Sequence, residues 1–227
     1  MATFPRGSLE EDVKALSDIV NPIDTKALPR KKVAALVGLS KKNEPRLLAL
    51  VRGVLREPEV NCKKAANIAK KAKRPSVKDK YPWFDVEHIR DALRFRSCPE
   101  TFEELAATPE RLRGAGLKVV KIDLSKLTKP SAWGWRFAGA DFRMPDLQLV
   151  EFYATFKELM DANNGECHKI FEKWRNRPAS VAMQEAMELS DAIYERAWAA
   201  ALERLGLTNQ QAERRWAAQK RKLRGNL

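Results

Sequence analysis

The sequence lacks the features that mark membrane-spanning, secreted and zinc-stabilised proteins. Its 227 residues contain no run of about 18 apolar residues, and residues 1–9 do not form a hydrophobic signal core. Cysteine and histidine are scarce and scattered, which is unfavourable for a disulfide framework or a zinc site. They are Cys62, Cys98 and Cys167 with His88 and His168. With 44% hydrophobic and 32% charged residues, the chain instead suits one domain with a hydrophobic core.

Positive charge, by contrast, is abundant and unevenly distributed. The chain has 43 Lys and Arg against 30 Asp and Glu, a net charge of +13. Residues 1–80 hold 19 of the basic and 9 of the acidic residues, a net of +10, which leaves +3 for residues 81–227. A local excess of this kind predicts a polyanionic partner: nucleotide phosphates, a nucleic acid or an acidic protein surface.

Helical periodicity occurs at both ends of the chain. Apolar residues recur at three- and four-residue steps, and prolines are expected to separate the helices. The N-terminal segments are Val13–Val20, Val33–Val37 and Leu47–Leu55, divided by Pro22, Pro29, Pro45 and Pro58. The C-terminal ones run from Phe156 to Trp174 and, after Pro178, over Val181–Leu205. Gln210–Leu227 has six basic residues and one Glu, which predicts a solvated basic helix.

The middle of the chain predicts strands. Short apolar or alternating runs bounded by turn residues occur at Leu93–Phe95, Leu117–Ile122, Trp135–Phe142 and Leu147–Tyr153. Between the first two, Cys98–Leu112 predicts a helix capped by Thr101. The order predicts an α+β fold: a mixed sheet of about five strands flanked by helices, with helical N- and C-terminal extensions. We divide the chain into an N-terminal helical region (1–62), a core (63–177) and a C-terminal helical extension (178–227).

The first group of candidate functional residues is basic. If Ala65–Lys73 is extended, Lys71 and Lys73 project on one face, with Ser76 and Lys80 beyond the turn at Pro75. Several cations and a hydroxyl around one point would suit a triphosphate. The alternative is a solvated basic strand edge.

Two further candidates are carboxylates next to or within apolar strands. Asp91 precedes the Leu93 strand and has Arg94 and Arg96 close in sequence, which suits a Mg²⁺ ligand shared with substrate phosphates. The alternative is an ordinary Asp–Arg ion pair. Glu151 interrupts an apolar strand, where a carboxylate is costly unless it is paired or bound to a metal. The alternative for Glu151 is a solvent-facing position on the strand.

The last group is aromatic. Trp133 and Trp135 flank Gly134, and Arg136 follows, so the segment could place a base-stacking ring beside a phosphate-binding guanidinium. The alternative is that both tryptophans belong to the core. Of the two, Trp135 is the better ligand candidate because it lies at a loop-to-strand junction.

Taken in order, these groups resemble the synthetase domain of the RelA/SpoT family, the ATP-dependent pyrophosphokinases that make ppGpp-type alarmones. Lys71 to Lys80 resemble the family's R-x-K-S-P-x-S-x-x-x-K segment, with one residue deleted and Lys in place of the leading Arg. Asp91-Ala-Leu-Arg-Phe-Arg96 resembles its D-x-x-x-x-R strand. The likeness extends over residues 65–175, and residues on either side carry none of it.

Three more segments carry the same resemblance. Lys129-Pro130 followed by Gly134-Trp135-Arg136 resembles K-P-x-x-x-G-Y-R, and Val150-Glu151-Phe152 resembles V-E-I-Q. Glu166-x-His168 with Phe171 resembles the closing E-H-x-x-Y-K. The chain departs from the pattern at Trp135 for Tyr, at Gly139 for His and at Phe152-Tyr153 for Ile-Gln.

The resemblance implies an enzyme that transfers pyrophosphate from ATP to the ribose 3′-hydroxyl of a purine nucleotide and releases AMP. It implies ATP binding by Lys71, Lys73, Ser76, Lys80, Arg94 and Arg96, acceptor binding by Trp135 and Lys129, and catalysis by Glu151, Asp91 and Arg136. Asp91 and Glu151 would hold the Mg²⁺ cofactor. The expected product is of the (p)ppGpp or (p)ppApp type.

The sequence leaves the acceptor and the class of protein open. The acceptor could instead be the 3′ end of tRNA, as in some toxic relatives, and a non-enzymatic RNA- or DNA-binding protein would also explain the basic charge. As a toxin or stress alarmone synthetase, the protein would act in the cytoplasm, either made there or delivered as a secreted toxin. An antitoxin or immunity protein is then a candidate partner, and no membrane partner is expected.

Overall fold

A computed structural model of the protein describes residues 17–175 and 177–226, with side chains as far as residue 223. The first part of the helix predicted at Val13–Val20 lies outside the described residues. Between Asp18 and Leu28 the chain follows turns and irregular backbone. No helix in the described ranges is both long enough and apolar enough to cross a membrane.

Five strands form one mixed sheet in the order β1-β2-β5-β4-β3. They are β1 (Glu59–Cys62), β2 (Leu93–Ser97), β3 (Lys118–Asp123), β4 (Ala138–Arg143) and β5 (Leu149–Ala154). The β2–β5 pair is parallel, and the other three pairs are antiparallel. The predicted α+β class and the mixed five-stranded sheet are therefore confirmed.

Helices lie before, between and after the strands. They are α1 (Pro29–Arg52), α2 (Ala65–Ala72), α3 (Pro75–Lys78), α4 (Phe102–Gly114), α5 (Lys157–Ala162), α6 (His168–Trp174), α7 (Val181–Leu205) and α8 (Asn209–Asn226). Two short 3₁₀ turns, Val86–His88 and Arg90–Ala92, lead into β2, and a π-helical turn, Asn163–Cys167, joins α5 to α6. Thr101 caps α4 as predicted, since its hydroxyl oxygen accepts from the Glu104 amide at 3.1 Å.

One face of the sheet forms the core together with α4, α7 and α8. Phe95, Phe142 and Phe152 on the strands are at most 2% exposed and belong to the same hydrophobic cluster as Trp198 and Trp216. A second cluster joins α1 and α2 to the chain before β2 and includes Leu36, Ile68 and Ile89. The domain boundaries at 62/63 and 177/178 stay a prediction.

Two local expectations at the N-terminal end are wrong. Ala65–Lys73 is not extended: residues 65–72 form α2, because Ile68 and Ala72, one turn apart, pack into the second cluster. Pro45 does not end a helix either. It lies inside α1, whose buried residues continue on the same stripe from Asn43 to Leu47 across it, so the packing outweighs the one lost amide donor.

Other boundaries differ in detail. Strand β1 was not predicted, and the strand expected from Trp135 begins only at Ala138. The predicted solvated basic helix is α8, but only part of it is solvated. Trp216 is fully buried in the core, and its indole N–H donates to the Leu124 carbonyl at 3.0 Å.

Candidate active site

A cavity of about 720 Å³ lies on the face of the sheet opposite the core. Because side chains alternate along a strand, the residues between the core positions all point to this face. The strand register arranges them in two rows that cross all five strands. The central row is Asn61, Arg94, Glu151, Asp141 and Lys121, and the second row is Glu59, Arg96, Tyr153, Gly139 and Asp123. All ten line the cavity.

Glu151 lies at the centre of the central row, on β5. Its Cα is paired with that of Arg94 on one side and that of Asp141 on the other. Burial, followed by the charge of Asp91, raises the pKa of Glu151 to about 7, and Asp141 acts in the same direction. A carboxyl group with such a pKa can accept and release a proton near neutral pH.

Asp91 lies in the 3₁₀ turn before β2 and is 8% exposed. Two lysines cover its carboxylate: Lys63 forms a short ion pair with Oδ2, and Lys71 Nζ is 2.8 Å from Oδ1. Burial alone would raise the pKa of Asp91, but the two lysines outweigh it and hold this pKa well below its usual range. The turn contacts β5, so Asp91 and Glu151 are close neighbours whose charges interact.

Lys63 and Asp141 were missed by the sequence reasoning. Lys63 follows β1, and its position beside Lys71 depends on α2 being a helix. Asp141 is 9% exposed, and Arg90 donates to its Oδ2 at 2.6 Å. Burial raises the pKa of Asp141 against the opposing charge of Arg90. Its signal was available, because Asp141 interrupts an apolar strand in the same way as Glu151.

The two predicted arginines of β2 both line the cavity. Arg96 already has protein partners: its guanidinium pairs with Glu59 at 2.6 Å and donates to Asn164 Oδ1 at 2.8 Å. Arg94 stands beside Glu151 in the central row. A guanidinium in this position is suited to a phosphate oxygen, which it can bind with two parallel N–H groups.

Aromatic rings form the other end of the cavity. The Trp135 ring stacks on Phe137, with centroids 5.7 Å apart and planes at 22°, and meets the edge of Tyr153. Tyr194 of α7 lies 5.3 Å from the same ring. Trp133 and Phe171 also line the cavity and contact each other. The cavity therefore offers aromatic surface next to a charged floor, as a nucleotide with its base and phosphates requires.

A tight turn places Trp135 in the cavity. The Ser131 hydroxyl accepts from the Trp135 amide at 3.2 Å, and the Gly134 amide donates to the Ser131 carbonyl at 2.9 Å. Gly134 has φ +81°, and a Cβ there would lie 2.7 Å from the Asp191 Cα of α7. Only glycine permits both this backbone and the close approach of α7.

Arg136 is not brought into the cavity. Its guanidinium is 9% exposed, pairs with Glu195 at 2.5 Å, donates to the Leu127 carbonyl at 3.2 Å and lies over the Trp198 ring. It therefore joins the loop before the turn to α7. Consecutive residues of an extended chain point to opposite sides, so the backbone that directs Trp135 to the cavity turns Arg136 away from it.

Seven other residues named from the sequence also lie outside the cavity lining, and two of them, Asp91 and Lys71, form the ion pair described above. The other five are exposed: Lys73, Ser76, Lys80, Lys129 and Glu166. Of the expected phosphate-binding group, only Lys71 reaches a site carboxylate, and it does so together with Lys63. From the closing segment, His168 and Phe171 do line the cavity.

The carboxylates of Asp91 and Glu151 fit a magnesium ion shared with a nucleotide. Mg²⁺ commonly takes one or two protein carboxylates and completes its octahedron with phosphate oxygens and water. The charge of Asp91 raises the pKa of Glu151, as is expected of two carboxylates close enough to share a cation. Across residues 17–175 and 177–226 no group of three or more His, Cys, Asp or Glu side chains stands at metal-binding spacing.

The fold is similar to those of solved nucleotide-handling proteins. Small alarmone synthetase 2 from Bacillus subtilis superposes with a TM-score of 0.57 at 15% identity, over 78% of this chain and 95% of that one. Small alarmone synthetase 1 from the same organism, bound to its product pppGpp, gives 0.54 at 17% identity over 73% and 94%. The Type VI effector Tas1, solved with its immunity protein, gives 0.51 at 18% identity over 76% and 98%.

Sequence comparison adds nothing to this likeness. No protein-family model matches the chain, and no curated protein matches it. The structural likeness spans nearly the whole length of each solved synthetase. The chain therefore has the RelA/SpoT-like fold of the small alarmone synthetases.

Proposed function

We propose that this chain is an ATP-dependent pyrophosphokinase that transfers the β,γ-pyrophosphate of ATP to the ribose 3′-hydroxyl of a purine nucleotide. The observation that carries the proposal is the central row, in which Glu151 lies between Asp141 and Arg94, close to the lysine-covered Asp91. The solved neighbour bound to pppGpp supports the same chemistry.

ATP is proposed to bind in the cavity and to extend past its lining to the lysines that cover Asp91. Lys63 and Lys71 neutralise Asp91 in the free protein, and they are the cations that the triphosphate would attract when it binds. Arg94 and Arg96 would contact the transferred phosphates, where charge builds during transfer. Asp91 and Glu151 would hold Mg²⁺, which supplies charge neutralisation to the phosphates when bound.

The acceptor is proposed to stack on Trp135 and to place its 3′-hydroxyl beside Glu151. The hydroxyl oxygen forms the new bond to the β-phosphorus, the bond from that phosphorus to the α–β bridging oxygen breaks, and AMP leaves. The hydroxyl proton passes to Glu151, whose pKa of about 7 suits that role. Positioning and charge stabilisation supply most of the rate enhancement in such transfers.

The direct test is an acceptor screen. The protein is incubated with labelled ATP, Mg²⁺ and one of GDP, GTP, ADP or ATP, and AMP release is followed. We expect AMP and a 3′-pyrophosphorylated product with at least one acceptor. If no acceptor, tRNA included, yields AMP, the proposal fails and a nucleic-acid-binding protein is favoured.

One observation favours the tRNA 3′ end as a second acceptor. The exposed residues of α1 include six cations, Arg30, Lys31, Lys41, Lys42, Arg46 and Arg52. A phosphate backbone on such a face makes binding steeply dependent on salt, because counterions are released. Turnover that falls steeply with added salt on tRNA, but only weakly on free nucleotides, would identify RNA as the acceptor.

We further propose that the activity inhibits growth in the cytoplasm, where ATP and purine nucleotides are available, and that an antitoxin or immunity protein restrains it. The support is the likeness to Tas1, which was solved with an immunity protein. Expression of the wild-type chain should arrest a sensitive host, whereas the Glu151→Gln variant should be tolerated. Equal growth of both strains would contradict the toxin role.

A further inference from the structure

Asn21, in the segment before α1, makes an unusual set of hydrogen bonds. Its side chain is 1% exposed. The Nδ2 group donates to the carbonyls of Glu87 and Ile89, at 3.0 and 2.8 Å, and Oδ1 accepts from the Leu149 amide at 3.0 Å. Its backbone amide also donates to the Glu87 carbonyl at 2.7 Å. Every side-chain bond of this amide therefore joins it to backbone.

The two backbone segments that Asn21 joins are those that carry the site carboxylates. Ile89 precedes the 3₁₀ turn of Asp91 by one residue, and Leu149 is the first residue of β5, two positions before Glu151. Amide oxygen and nitrogen sit on one rigid plane, so a single side chain sets the separation between the two segments. No other described side chain donates to one of them and accepts from the other.

The surrounding strap, Ser17–Asn21, is held at further points. Arg143 donates to the Val20 carbonyl at 3.0 Å, and His88 Nε2 lies 3.2 Å from the Ser17 carbonyl oxygen. The strap precedes the region of likeness to the RelA/SpoT motifs, which begins near residue 65. It nonetheless hydrogen-bonds to the backbone that leads into the turn of Asp91 and into β5.

We propose that Asn21 is a positioning residue: its amide holds the turn of Asp91 and the start of β5 at the separation at which both carboxylates serve one nucleotide-bound cation. The proposal rests on the proposed function. Groups one step removed from a metal ligand commonly change metal affinity or activity 10- to 100-fold when they are altered. Asn21 touches no cavity residue, so its effect must pass through the backbone.

A purely structural role is the rival explanation, and the chain offers a matched control. Asn43 on α1 is also fully buried, and its Nδ2 donates to Asp146 and Gln148, both at 2.7 Å. These partners belong to the turn before β5. Asn43 therefore supports the β5 side alone, with no bond to the turn of Asp91.

Three variants separate the explanations. Asn21→Asp keeps an acceptor for the Leu149 amide but places a carboxylate against two carbonyl oxygens. Asn21→Ala removes all three side-chain bonds, and Asn43→Ala is the control. Hydrogen exchange is read at two amides. Lys63 N–H, which donates to the Ala92 carbonyl at 2.8 Å, reports on the turn of Asp91, and Leu149 N–H reports on β5.

We expect Asn21→Asp to speed exchange mainly at Lys63, and Asn21→Ala to speed it at both amides. Asn43→Ala should leave Lys63 unchanged even if its melting temperature falls as far. In the AMP-release assay both Asn21 variants should lower kcat about tenfold or more and raise the Mg²⁺ concentration for half-maximal rate, with a smaller change in the KM for ATP. Asn43→Ala should change these values by less than about threefold.

Other results would overturn the proposal. If the Asn21 variants changed hydrogen exchange only at residues 17–21, or showed the same Mg²⁺ dependence as Asn43→Ala, the role of Asn21 would be purely structural. In the wild-type protein, the Asn21 and Leu149 amides should exchange at one common rate as the strap opens, and clearly different rates would also count against it. If the wild type releases no AMP, the proposed function fails, and the exchange data still decide whether Asn21 couples the two segments.

Discussion

The two faces of the sheet are built from alternate residues of the same strands, yet they carry opposite kinds of side chain. On β5, Val150 and Phe152 belong to the core cluster and are at most 2% exposed. Glu151 and Tyr153 line the cavity, which Phe152 also touches. On β2, Phe95 belongs to the core, and its neighbours Arg94 and Arg96 to the cavity. One strand therefore supplies stability and chemistry at adjacent positions.

The two faces also differ in energy. The core face gains stability by burying aromatic and aliphatic side chains, at about 25 cal/mol per Å² of apolar surface. The cavity face places two carboxylates, Glu151 and Asp141, directly opposite each other, an arrangement that destabilises a sheet. Two facing carboxylates that cost stability indicate a functional role for their charge. The difference between the core face and the cavity face can be tested residue by residue.

The largest effect is expected at Glu151. Glu151→Gln removes the charge and the proton acceptor but keeps the shape, so AMP release should fall by about 10³-fold. The free energy of unfolding should not decrease, because a buried and repelled carboxylate is lost. Asp161→Asn, which removes a carboxylate from the exposed Lys157 pair on α5, is the control and should keep full activity. Wild-type-like turnover by Glu151→Gln would remove Glu151 from the catalytic group.

Phe152, the next residue along β5, should affect stability more than activity. Phe152→Ala deletes a buried ring that contacts Phe95 and Phe142, and it should lower the free energy of unfolding by about 3–5 kcal/mol. Urea denaturation monitored by tryptophan fluorescence measures this loss. The remaining folded fraction should retain substantial turnover. Loss of turnover without loss of stability would contradict the division of labour between the faces.

The pH dependence of stability sharpens the same comparison. Glu151 has a pKa of about 7 in the folded protein and the ordinary value near 4.5 when unfolded. The folded state therefore holds the extra proton between these values, and its stability declines as the pH rises from about 4.5 through 7. Asp91, whose pKa is depressed by Lys71 and Lys63, contributes in the opposite sense and only at lower pH.

We therefore expect the stability gained by Glu151→Gln over the wild type to grow from pH 5 to pH 8. Urea unfolding of both proteins in metal-free buffer measures it at each pH. Phe152→Ala should show the same pH dependence as the wild type, apart from a constant offset. A difference between Glu151→Gln and the wild type that does not change with pH would contradict the raised pKa.

The sequence predicts part of this site because local signals mark it. A carboxylate inside an apolar strand draws attention to Glu151, and the sequence neighbourhood of Asp91 to Arg94 and Arg96. Local sequence patterns do not predict the order of the strands in the sheet. The rows exist only because β5 lies between β2 and β4, which is set by long-range packing.

One error in local structure explains why the lysines after Ala65 are arranged differently from the prediction. Treating residues 65–73 as a strand pairs Lys71 with Lys73, two positions away. The segment instead forms α2, which ends at Ala72, so Lys73 lies just beyond the helix. Lys71, inside the helix, meets Lys63 across Asp91. The alanine content of Ala65–Ala72 favours a helix and could have been used. Pro45 was expected to end a helix, but it lies inside α1 because the packing of this helix overrides the local preference of proline.

The aromatic end of the cavity should show a smaller effect than Glu151. Trp135→Ala removes a ring on which a base could stack, so the KM for the acceptor should rise roughly tenfold with less change in the KM for ATP. Trp174→Ala, on α6 outside the cavity lining, is the matched control. Initial rates with each substrate varied in turn measure both values. Equal changes for acceptor and ATP would make Trp135 a core residue.

The smallest effect is expected on the exposed lysines. Lys80 is exposed and sits over the Tyr81 ring, so Lys80→Ala should change the KM for ATP by less than about twofold. Lys71→Ala is the contrasting variant, because it removes a cation paired with Asp91 at 2.8 Å. It should weaken ATP use far more, as measured by the initial rate of AMP release at varied ATP. If Lys80→Ala proved as damaging as Lys71→Ala, the triphosphate would have to extend beyond the cavity to the exposed segment after α2, and the basic stretch would act as one binding surface.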